Sequence, residues 1–450
     1  MGNRVMQHFN RQPTSQRAFS LLLSVAVMWQ AAAIPAAAAD GAALSLPSLL
    51  EEVRRVNPEL RAARKRWEAA QARVPLSKGL PAPRIGIEFE EIPKGTVRLD
   101  QATLMYQLIQ SLPFPGKISA RRQVAIAEAQ RAAAELKKVE WEVLSHLKST
   151  YYDLFLVNRE LEIQEEQVLW LRQAAGTAQA GYATGAETHT ALLQAQAELL
   201  QGANGLRTLT QRRQATVSHL NHLFSRESHH EAGGPGAIPL MFVPYSPEEL
   251  VLIAQETQPE LLVFKFMAER AAAEWRLAKR ELLPDLETMV ELRDPAMGPL
   301  GPWDLTLALV LPFWFWTKAR YGVKIALSDK ESAEAAYQAM HNEITTRIHE
   351  HWHQAFAAYN TAKLSRDGLI PLSQQAVASA FAAYQSGRGS FSDLLEALRR
   401  LSESQRTYAE RLVDLEQHVV MLEEAAGVPL RAAHAVPTSP APTPQTGGPR

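Results

Sequence analysis

The chain has 450 residues, enough for about two or three domains of ordinary size, and it contains no cysteine. The lack of cysteine excludes disulfides, thiolate metal sites and a lipid anchor on an N-terminal cysteine. Its 47 basic residues nearly balance its 48 acidic residues, a ratio that argues against a nucleic-acid partner.

Residues 1–39 are predicted to be a signal peptide. Three arginines precede an apolar stretch, residues 18–34, and a run of alanines ends at Ala39. We therefore expect the mature protein to start near Asp40 and to leave the cytoplasm. Removal of the three arginines from the 47 basic residues leaves 44 against 48 acidic ones. No later segment approaches the roughly 18 consecutive apolar residues of a membrane-spanning helix.

The rest of the chain reads as two copies of one unit. Residues 40–224 and 246–426 form the predicted repeats, with residues 225–245 as a glycine-rich linker. Near the start of each repeat, Asn57-Pro58-Glu59-Leu60 matches Gln258-Pro259-Glu260-Leu261. An internal repeat of this length fixes the architecture of the fold. The C-terminal residues that follow are rich in proline, threonine and alanine, and residues 427–450 are predicted to be a disordered tail.

Each repeat is predicted to begin with short helices. Ser246 followed by Pro247 and Glu249 has the pattern of a helix start with a capping box. Ser48 with Glu51 predicts the same arrangement in the first repeat.

Two short segments of alternating polarity then predict one β-hairpin in each repeat, at residues 84–112 and 285–312. The first strand of each hairpin has apolar residues on one face and mainly acidic residues on the other, and the second strand has an apolar face. The apolar positions include Ile85, Ile87, Phe89, Leu286, Val290 and Leu292, and the acidic positions are Glu88, Glu90, Glu287 and Glu291.

Each hairpin ends at a proline-containing junction, LPFPGK at Lys117 and LPFWFWTK at Lys318. A long helical stretch follows each lysine. The first runs to Tyr182 without proline, on the order of 100 Å of helix. The second contains Asp367-Gly368 and Pro371, which predict a kink or a break.

Two glycine motifs predict where the long helices reverse, near residues 182–190 and 384–392. The equivalent residues are Tyr182, Gly185 and Thr188 in the first motif and Tyr384, Gly387 and Ser390 in the second, and a leucine pair follows each. A helical hairpin needs glycine at such a reversal.

The β-hairpins carry the argument for a membrane. In lipid, only a closed barrel satisfies every backbone group, and four strands are fewer than the roughly eight of the smallest barrels. The chain must then oligomerise, with its leucine faces toward lipid and Glu88, Glu90, Glu287 and Glu291 in the lumen. Aromatic residues at the strand ends are predicted to form an interfacial girdle: Phe114, Phe313, Trp314, Phe315 and Trp316. The alternative is a soluble helical domain on which half-buried hairpins lie.

Together these motifs resemble the TolC-like outer-membrane efflux channel family. The LPFPGK junction is similar to the branch that serves heavy-metal (cobalt-zinc-cadmium or copper-silver) efflux pumps of the resistance–nodulation–division (RND) type. The resemblance implies a mainly α fold in which duplicated long helical hairpins form a periplasmic tunnel. The two β-hairpins of each chain would contribute to one membrane β-barrel in a homotrimer, of about twelve strands.

The resemblance also implies partners and site residues. The tunnel would dock through its tips, at Tyr182, Gly185, Thr188, Tyr384, Gly387 and Ser390, on a periplasmic adaptor (membrane fusion protein) driven by an inner-membrane pump. Asp393 and Glu396 match the acidic residues that ring the closed tunnel end. The first tip departs from this pattern, because Ala191 and Gln194 stand where an acid is expected.

His349 and His353 are weak metal candidates. They are four residues apart on one helix face, the spacing of a helical zinc pair, but no third ligand is defined. A solvated or tunnel-lining histidine patch is the alternative.

No phosphate loop or nucleophile elbow occurs, so neither enzymatic activity nor a cofactor is predicted. Multidrug efflux or type I protein secretion by the same architecture stays open. A periplasmic coiled-coil adaptor or a structural scaffold explains the duplication and the leucine-faced hairpins less well.

Overall fold

The computed structural model describes residues 44–90, 95, 102–185, 187–293, 303–311 and 318–431. The predicted signal peptide, 1–39, and the aromatic run Phe313–Trp316 lie outside the described residues. None of the described helices has the length and hydropathy of a membrane span.

The described elements repeat in the predicted order of two short helices, a β-hairpin and a long helical hairpin. The first repeat contains α1 (Leu46–Val56), α2 (Pro58–Leu76), β1 (Arg84–Glu90), β2 (Thr103–Leu112), α3 (Lys117–Ala183) and α4 (His189–Leu223). The second contains α5 (Pro247–Thr257), α6 (Pro259–Arg280), β3 (Asp285–Arg293), β4 (Trp303–Val310), α7 (Lys318–Leu364), a π-helical turn (Ser365–Leu369), α8 (Ile370–Gln385) and α9 (Phe391–Ala426). The predicted combination of duplicated helical hairpins and two β-hairpins is confirmed.

Equivalent polar residues start equivalent helices. The side chain of Asn57 accepts hydrogen bonds from the N–H groups of Glu59 and Leu60 in α2, and that of Gln258 accepts one from the N–H of Leu261 in α6. Ser246 and Glu249 form the predicted capping box of α5. The prediction for Ser48 was wrong. Helix α1 already begins at Leu46, and the Ser48 hydroxyl donates to the carbonyl of Ser45 instead.

The two β-hairpins join into one antiparallel sheet of four strands in the order β1-β2-β3-β4. Strands β2 and β3 pair across the repeats, with Gln107 opposite Glu291 and Leu108 opposite Val290. Strands β1 and β4 are the two edges of the sheet. A protein sheet in lipid must pair such edges with further strands.

The helices pack around three apolar clusters. One lies around Leu147 and Leu154 of α3, and a second lies around Ile348 of α7 and Leu415 of α9. A third cluster, the tip cluster, joins the ends of both helical hairpins. It contains Leu171, Ala174, Ala178, Ala195, Val377, Tyr384, Phe391, Leu394, Ala397, Leu398 and Leu401.

The predicted disorder of residues 427–450 was wrong for the part that the structure describes. Gly427 ends α9 with φ +69°, and a Cβ there would lie 2.6 Å from the carbonyl oxygen of Thr257. Leu430 is only 1% exposed, and Arg431 pairs with the buried Glu416 at 2.7 Å. Gly427, Leu430 and Arg431 are thus packed against the rest of the described chain. Residues 432–450 lie outside the described chain.

Candidate functional site: the hairpin tips and the strand sheet

The first tip is a tight reversal between α3 and α4. Gly185 has φ +75°, a left-handed conformation that glycine adopts without strain. Thr188 then starts α4, because its hydroxyl accepts a hydrogen bond from the N–H of Ala191 at 3.2 Å. The predicted turn glycine and the hydroxyl residue therefore have distinct backbone roles.

The second tip repeats this geometry and adds a carboxylate. Gly387 has φ +70°. Ser390 accepts a hydrogen bond from the N–H of Asp393, and the Asp393 carboxylate accepts one from the N–H of Ser390, each at 3.2 Å. Asp393 thus completes a capping box at the start of α9. At the first tip Ala191 holds this position and cannot do the same.

The two acids predicted for a constriction are both exposed and lie near the same end of α9. Glu396 pairs with Arg400 at 2.8 Å on the helix surface. Such an exposed pair contributes little to stability, so the Glu396 charge is free for another role. Asp393 combines a cap with an exposed negative charge.

The two tip tyrosines differ in environment. Tyr182 is 47% exposed, and its ring lies 5.2 Å from that of His189. Tyr384 is 3% exposed and packs against Phe391, with ring centroids 6.0 Å apart. Only Tyr182 therefore offers its ring at the surface of the chain, whereas Tyr384 belongs to the tip cluster.

Charged groups connect the two tips. Glu187 follows the first turn and lies beside the buried Tyr384 of the second tip. The pKa of Tyr384 is raised to about 12, chiefly by burial and then by the negative charge of Glu187. Gly181 makes room for Glu187, because a Cβ there would lie 2.7 Å from the Glu187 Cγ. Further up the hairpins, Arg399 pairs with Glu198 at 2.6 Å.

The four predicted lumen acids share one face of the sheet. Gln107 donates hydrogen bonds to Glu88 and, at 2.9 Å, to Glu291. Arg84 pairs with Glu287 at 3.0 Å, and Glu90 follows Glu88 on the same face by alternation. Placement of acids from β1 and β3 on a common face makes that face polar.

The opposite face of the sheet is apolar and uncovered within the chain. One cross-strand row reads Ile85, Leu108, Val290 and Leu305. The next row reads Ile87, Tyr106, Leu292 and Trp303. All eight side chains are exposed, and Ile85 reaches 81%. A continuous exposed apolar face of this kind is typical of a surface that meets lipid or a partner.

The junction after β2 connects the sheet to α3. Phe114 is exposed at this junction, and its backbone N–H donates to Asp285 at 2.8 Å. Gly116 has φ +95°, and a Cβ there would lie 1.7 Å from an Arg280 nitrogen. The predicted girdle can be placed only at Phe114.

Within the described part of the chain, the predicted pair His349 and His353 is not part of a ligand cluster. His353 is exposed and packs edge-on against Trp352, and His349 is half-buried. Among the residues that the structure describes, no group of three or more histidine or acidic side chains could hold a metal ion. A different pair of histidines was not predicted from the sequence. The ring of His351 in α7 stacks on that of His418 in α9, with ring centroids 5.6 Å apart.

Other site residues were also missed from the sequence. The contacts of Glu187 with Tyr384 and of Glu198 with Arg399 join residues about 200 positions apart, so no local pattern marks them. The 201-residue separation of Glu198 and Arg399 is close to the 202-residue offset between Gly185 and Gly387 at the tips, which was the one available signal.

Comparison with known proteins places this geometry in a family. No curated protein matches the sequence. Among solved structures, VceC from Vibrio cholerae is 17% identical, with a TM-score of 0.73 over 85% of this chain and 96% of that one. CusC is 15% identical, with a TM-score of 0.73 over 85% and 92%. CmeC from Campylobacter jejuni is 16% identical, with a TM-score of 0.71 over 86% of each chain.

At these identities the structures share the fold. The family model for "Outer membrane efflux protein" matches residues 49–224 and 250–428, both repeats and most of the chain. The two matched ranges include the strands of the four-stranded sheet and both helical hairpins. The chain belongs to the outer membrane efflux protein family.

Proposed function

We propose that this protein is the outer-membrane exit channel of a tripartite RND-type efflux system and passively conducts heavy-metal cations. The observation that carries the channel proposal is the four-stranded sheet. One face is apolar and exposed, the other carries four acids, and both edges are open. In lipid those edges must be paired, and a barrel needs about eight strands or more.

A homotrimer meets this requirement with about twelve strands. Exposed leucines on the helices support the same assembly. Leu193 and Leu200 of α4, and Leu364 and Leu372 near the π-helical turn, are each at least half exposed within one chain. Neighbouring copies would cover them and close a helical tunnel below the barrel. Residues 1–39 would be removed on export, leaving the two repeats, 40–224 and 246–426, in the mature channel.

The tips are the proposed docking site for a periplasmic adaptor coupled to an inner-membrane pump. The exposed Tyr182 and the turns at Gly185 and Gly387 provide surface that a helical partner can contact. Thr188 and Ser390 cap the helices that follow the two turns. Tyr384 would contribute indirectly, by packing beneath the second turn.

A cation substrate is favoured by charge. Copies of Glu88, Glu90, Glu287 and Glu291 would line the barrel, and copies of Asp393 and Glu396 would ring the tunnel end. Rings of acidic side chains select for cations. The LPFPGK junction, which is similar to the heavy-metal branch, points to metal ions among the cations. Multidrug efflux or type I protein secretion is the alternative for the same channel.

The test combines conductance with a resistance assay. The purified full chain is placed in planar bilayers, and ion selectivity is measured from the reversal potential in a salt gradient. Asp393→Asn with Glu396→Gln should reduce cation selectivity without abolishing conductance, and Glu165→Gln, at an exposed acid on α3, is the matched control. A strain without the protein should become sensitive to a few metals. Sensitivity restricted to dyes and antibiotics would contradict the metal assignment, and absence of conductance would contradict the channel.

A further inference from the structure

All four connections between the sheet and the helices lie at one end of the sheet, its base. Strands β1 and β3 begin at this end, and β2 and β4 finish there. The register confirms the common level, because Leu112 lies opposite Leu286 and Asp285 lies opposite Val310. Helices α2 and α6 lead into the base, and α3 and α7 start just after it. Four segments that are distant in the sequence therefore meet at the same height.

These four segments concentrate the positive charge of the chain. The fifteen residues at each connection, 70–84, 112–126, 271–285 and 310–324, include three basic residues each. Together they contain twelve basic and three acidic residues, whereas the rest of the chain has 35 basic and 45 acidic ones. A chain that is nearly neutral overall thus carries a basic collar, formed by these four segments, around the base of the sheet.

Much of the charge in the basic collar is available to an outside anion. The three acids of the collar already have partners: Asp285 with Lys117 at 2.8 Å, Glu281 with Arg121 at 3.6 Å and Glu274 with Arg270 at 3.0 Å. Lys78, Arg122 and Lys324 are exposed, and none of them pairs with a carboxylate within the described part of the chain. These three cations come from three different connections.

Exposed apolar side chains lie among the cations. The segment before β1 is held against the sheet, since the Gln110 side chain donates to the carbonyl of Pro81 at 2.9 Å. The exposed apolar and aromatic residues at or beside the four connections are Leu76, Leu80, Phe114, Tyr321 and Ile325. Apolar and aromatic side chains mixed with lysine and arginine are typical of a protein surface at the membrane–water interface.

The height of the collar matches the headgroup layer of a bilayer. A tilted strand of ten residues, such as β2, spans the hydrocarbon region, and the headgroup layer beyond it is about 5–7 Å thick. Arg122 and Lys324 follow the first residues of α3 and α7 by five and six positions, about 8–9 Å along the helix axis. Helical side chains tilt toward the N-terminus, here toward the sheet. Long basic side chains can therefore extend their charge to the phosphate level.

We propose that the basic collar binds anionic phospholipid, with Lys78, Arg122 and Lys324 holding the phosphate groups of phosphatidylglycerol in the leaflet next to the helices. This inference rests on the proposed channel function, since only a membrane-embedded sheet brings a leaflet to this height. Each basic residue near an anionic surface strengthens binding about fivefold. A zwitterionic lipid with the same acyl chains makes the same apolar contacts with Leu80 and Tyr321 but has no net charge, so only the cations distinguish the two lipids.

The test counts the lipids that stay with the protein. The purified full-length protein in neutral detergent is mixed with equal amounts of phosphatidylglycerol and phosphatidylcholine that have identical acyl chains. It is then separated by size exclusion, and the retained lipids are extracted and counted by mass spectrometry. Phosphatidylglycerol should be retained in excess by about fivefold or more. Equal retention of the two lipids would overturn the proposal.

A matched pair of triple variants locates the binding surface. Lys78→Gln, Arg122→Gln and Lys324→Gln together should abolish the preference for phosphatidylglycerol. The control removes the same charge from exposed positions of α2 and α4 away from the base, through Arg61→Gln, Arg64→Gln and Arg207→Gln. This control should retain the preference. Equal loss in both variants would assign the preference to net charge and overturn the collar.

Salt tests the proposal on the unaltered protein, even where the triple variant fails to fold. Added sodium chloride, from about 0.05 to about 0.5 M, should reduce the preference because it screens exposed charges. An undiminished preference would overturn the proposal. Inorganic phosphate at matched ionic strength should act no more strongly than chloride, and a stronger effect would assign the collar to free phosphate instead of lipid.

Conductance of the unaltered protein in planar bilayers is recorded separately. Its absence would overturn the channel function, and the ratio of retained lipids would still decide whether the collar binds anionic phospholipid.

Discussion

Lys117 and Asp285 connect the two repeats at the base of the sheet. The Lys117 Nζ lies 2.8 Å from the Asp285 Oδ1 and also donates to the carbonyl of Leu283 at 2.7 Å. The side chain of Lys117 is almost fully buried, whereas that of Asp285 is partly exposed. The lysine that ends the LPFPGK junction thus links α3 of the first repeat to the first strand of the second.

Lys117→Met should lower the stability of the sheet–helix junction by about 2–4 kcal/mol, because it removes the buried charge partner of Asp285, which keeps the Phe114 N–H, and the donor to the Leu283 carbonyl. The measurement is the thermal midpoint of the purified protein in detergent. Lys65→Met is the control, since its pair with Glu68 is exposed and should contribute less than about 0.5 kcal/mol. Equal effects of both changes would contradict a structural role for Lys117.

Substitution by alanine should have a large effect on stability at Tyr384 and a small one at Tyr182. Tyr384→Ala should destabilise the tip cluster by about 3 kcal/mol, since it empties a buried ring position. Tyr384→Phe keeps the buried ring and loses only the hydroxyl beside Glu187, so it should destabilise the tip cluster far less than Tyr384→Ala. Tyr182→Ala removes an exposed ring and should change stability little. Limited proteolysis at the tips measures each effect, and rapid cleavage of Tyr384→Phe would show that the hydroxyl contributes.

Local signals in the sequence predicted most of the fold. Alternation of Ile85, Ile87 and Phe89 with Gly86, Glu88 and Glu90 assigned the faces of β1, and the cross-strand register agrees. Contacts between distant residues were not predictable in this way, because Lys117 and Asp285 carry no mark of each other. The π-helical turn lies between these cases. Gly368 and Pro371 predicted a kink or a break, and the α-helix is interrupted there by the π-helical turn Ser365–Leu369, a form that the sequence did not specify.

Substitutions at Ser390 and Asp393 should distinguish the stabilising effect of helix capping from that of the negative charge. Ser390→Ala removes the N-cap acceptor of α9 and should cost about 1 kcal/mol of local stability. Asp393→Asn retains an oxygen acceptor for the Ser390 N–H and should leave the helix start intact while removing the charge. Amide hydrogen exchange in the first turn of α9 measures both. Equal loss of protection in the two variants would indicate that the Asp393 charge itself stabilises the tip.

His418 should make the stability of the α7–α9 contact depend on pH. Burial, and then the adjacent His351, lower the pKa of His418, while Asp414 and Glu350 oppose the shift. A histidine with a lowered pKa binds its proton more readily when unfolded, so its stabilising contribution is present above pH 6.5 and is lost as the pH falls below that value. The thermal midpoint should therefore drop between pH 7.5 and pH 5, and His418→Gln should flatten the drop. His353→Gln, on the exposed face of α7, should leave the pH dependence unchanged; an equal effect of the two substitutions would assign the dependence to other groups.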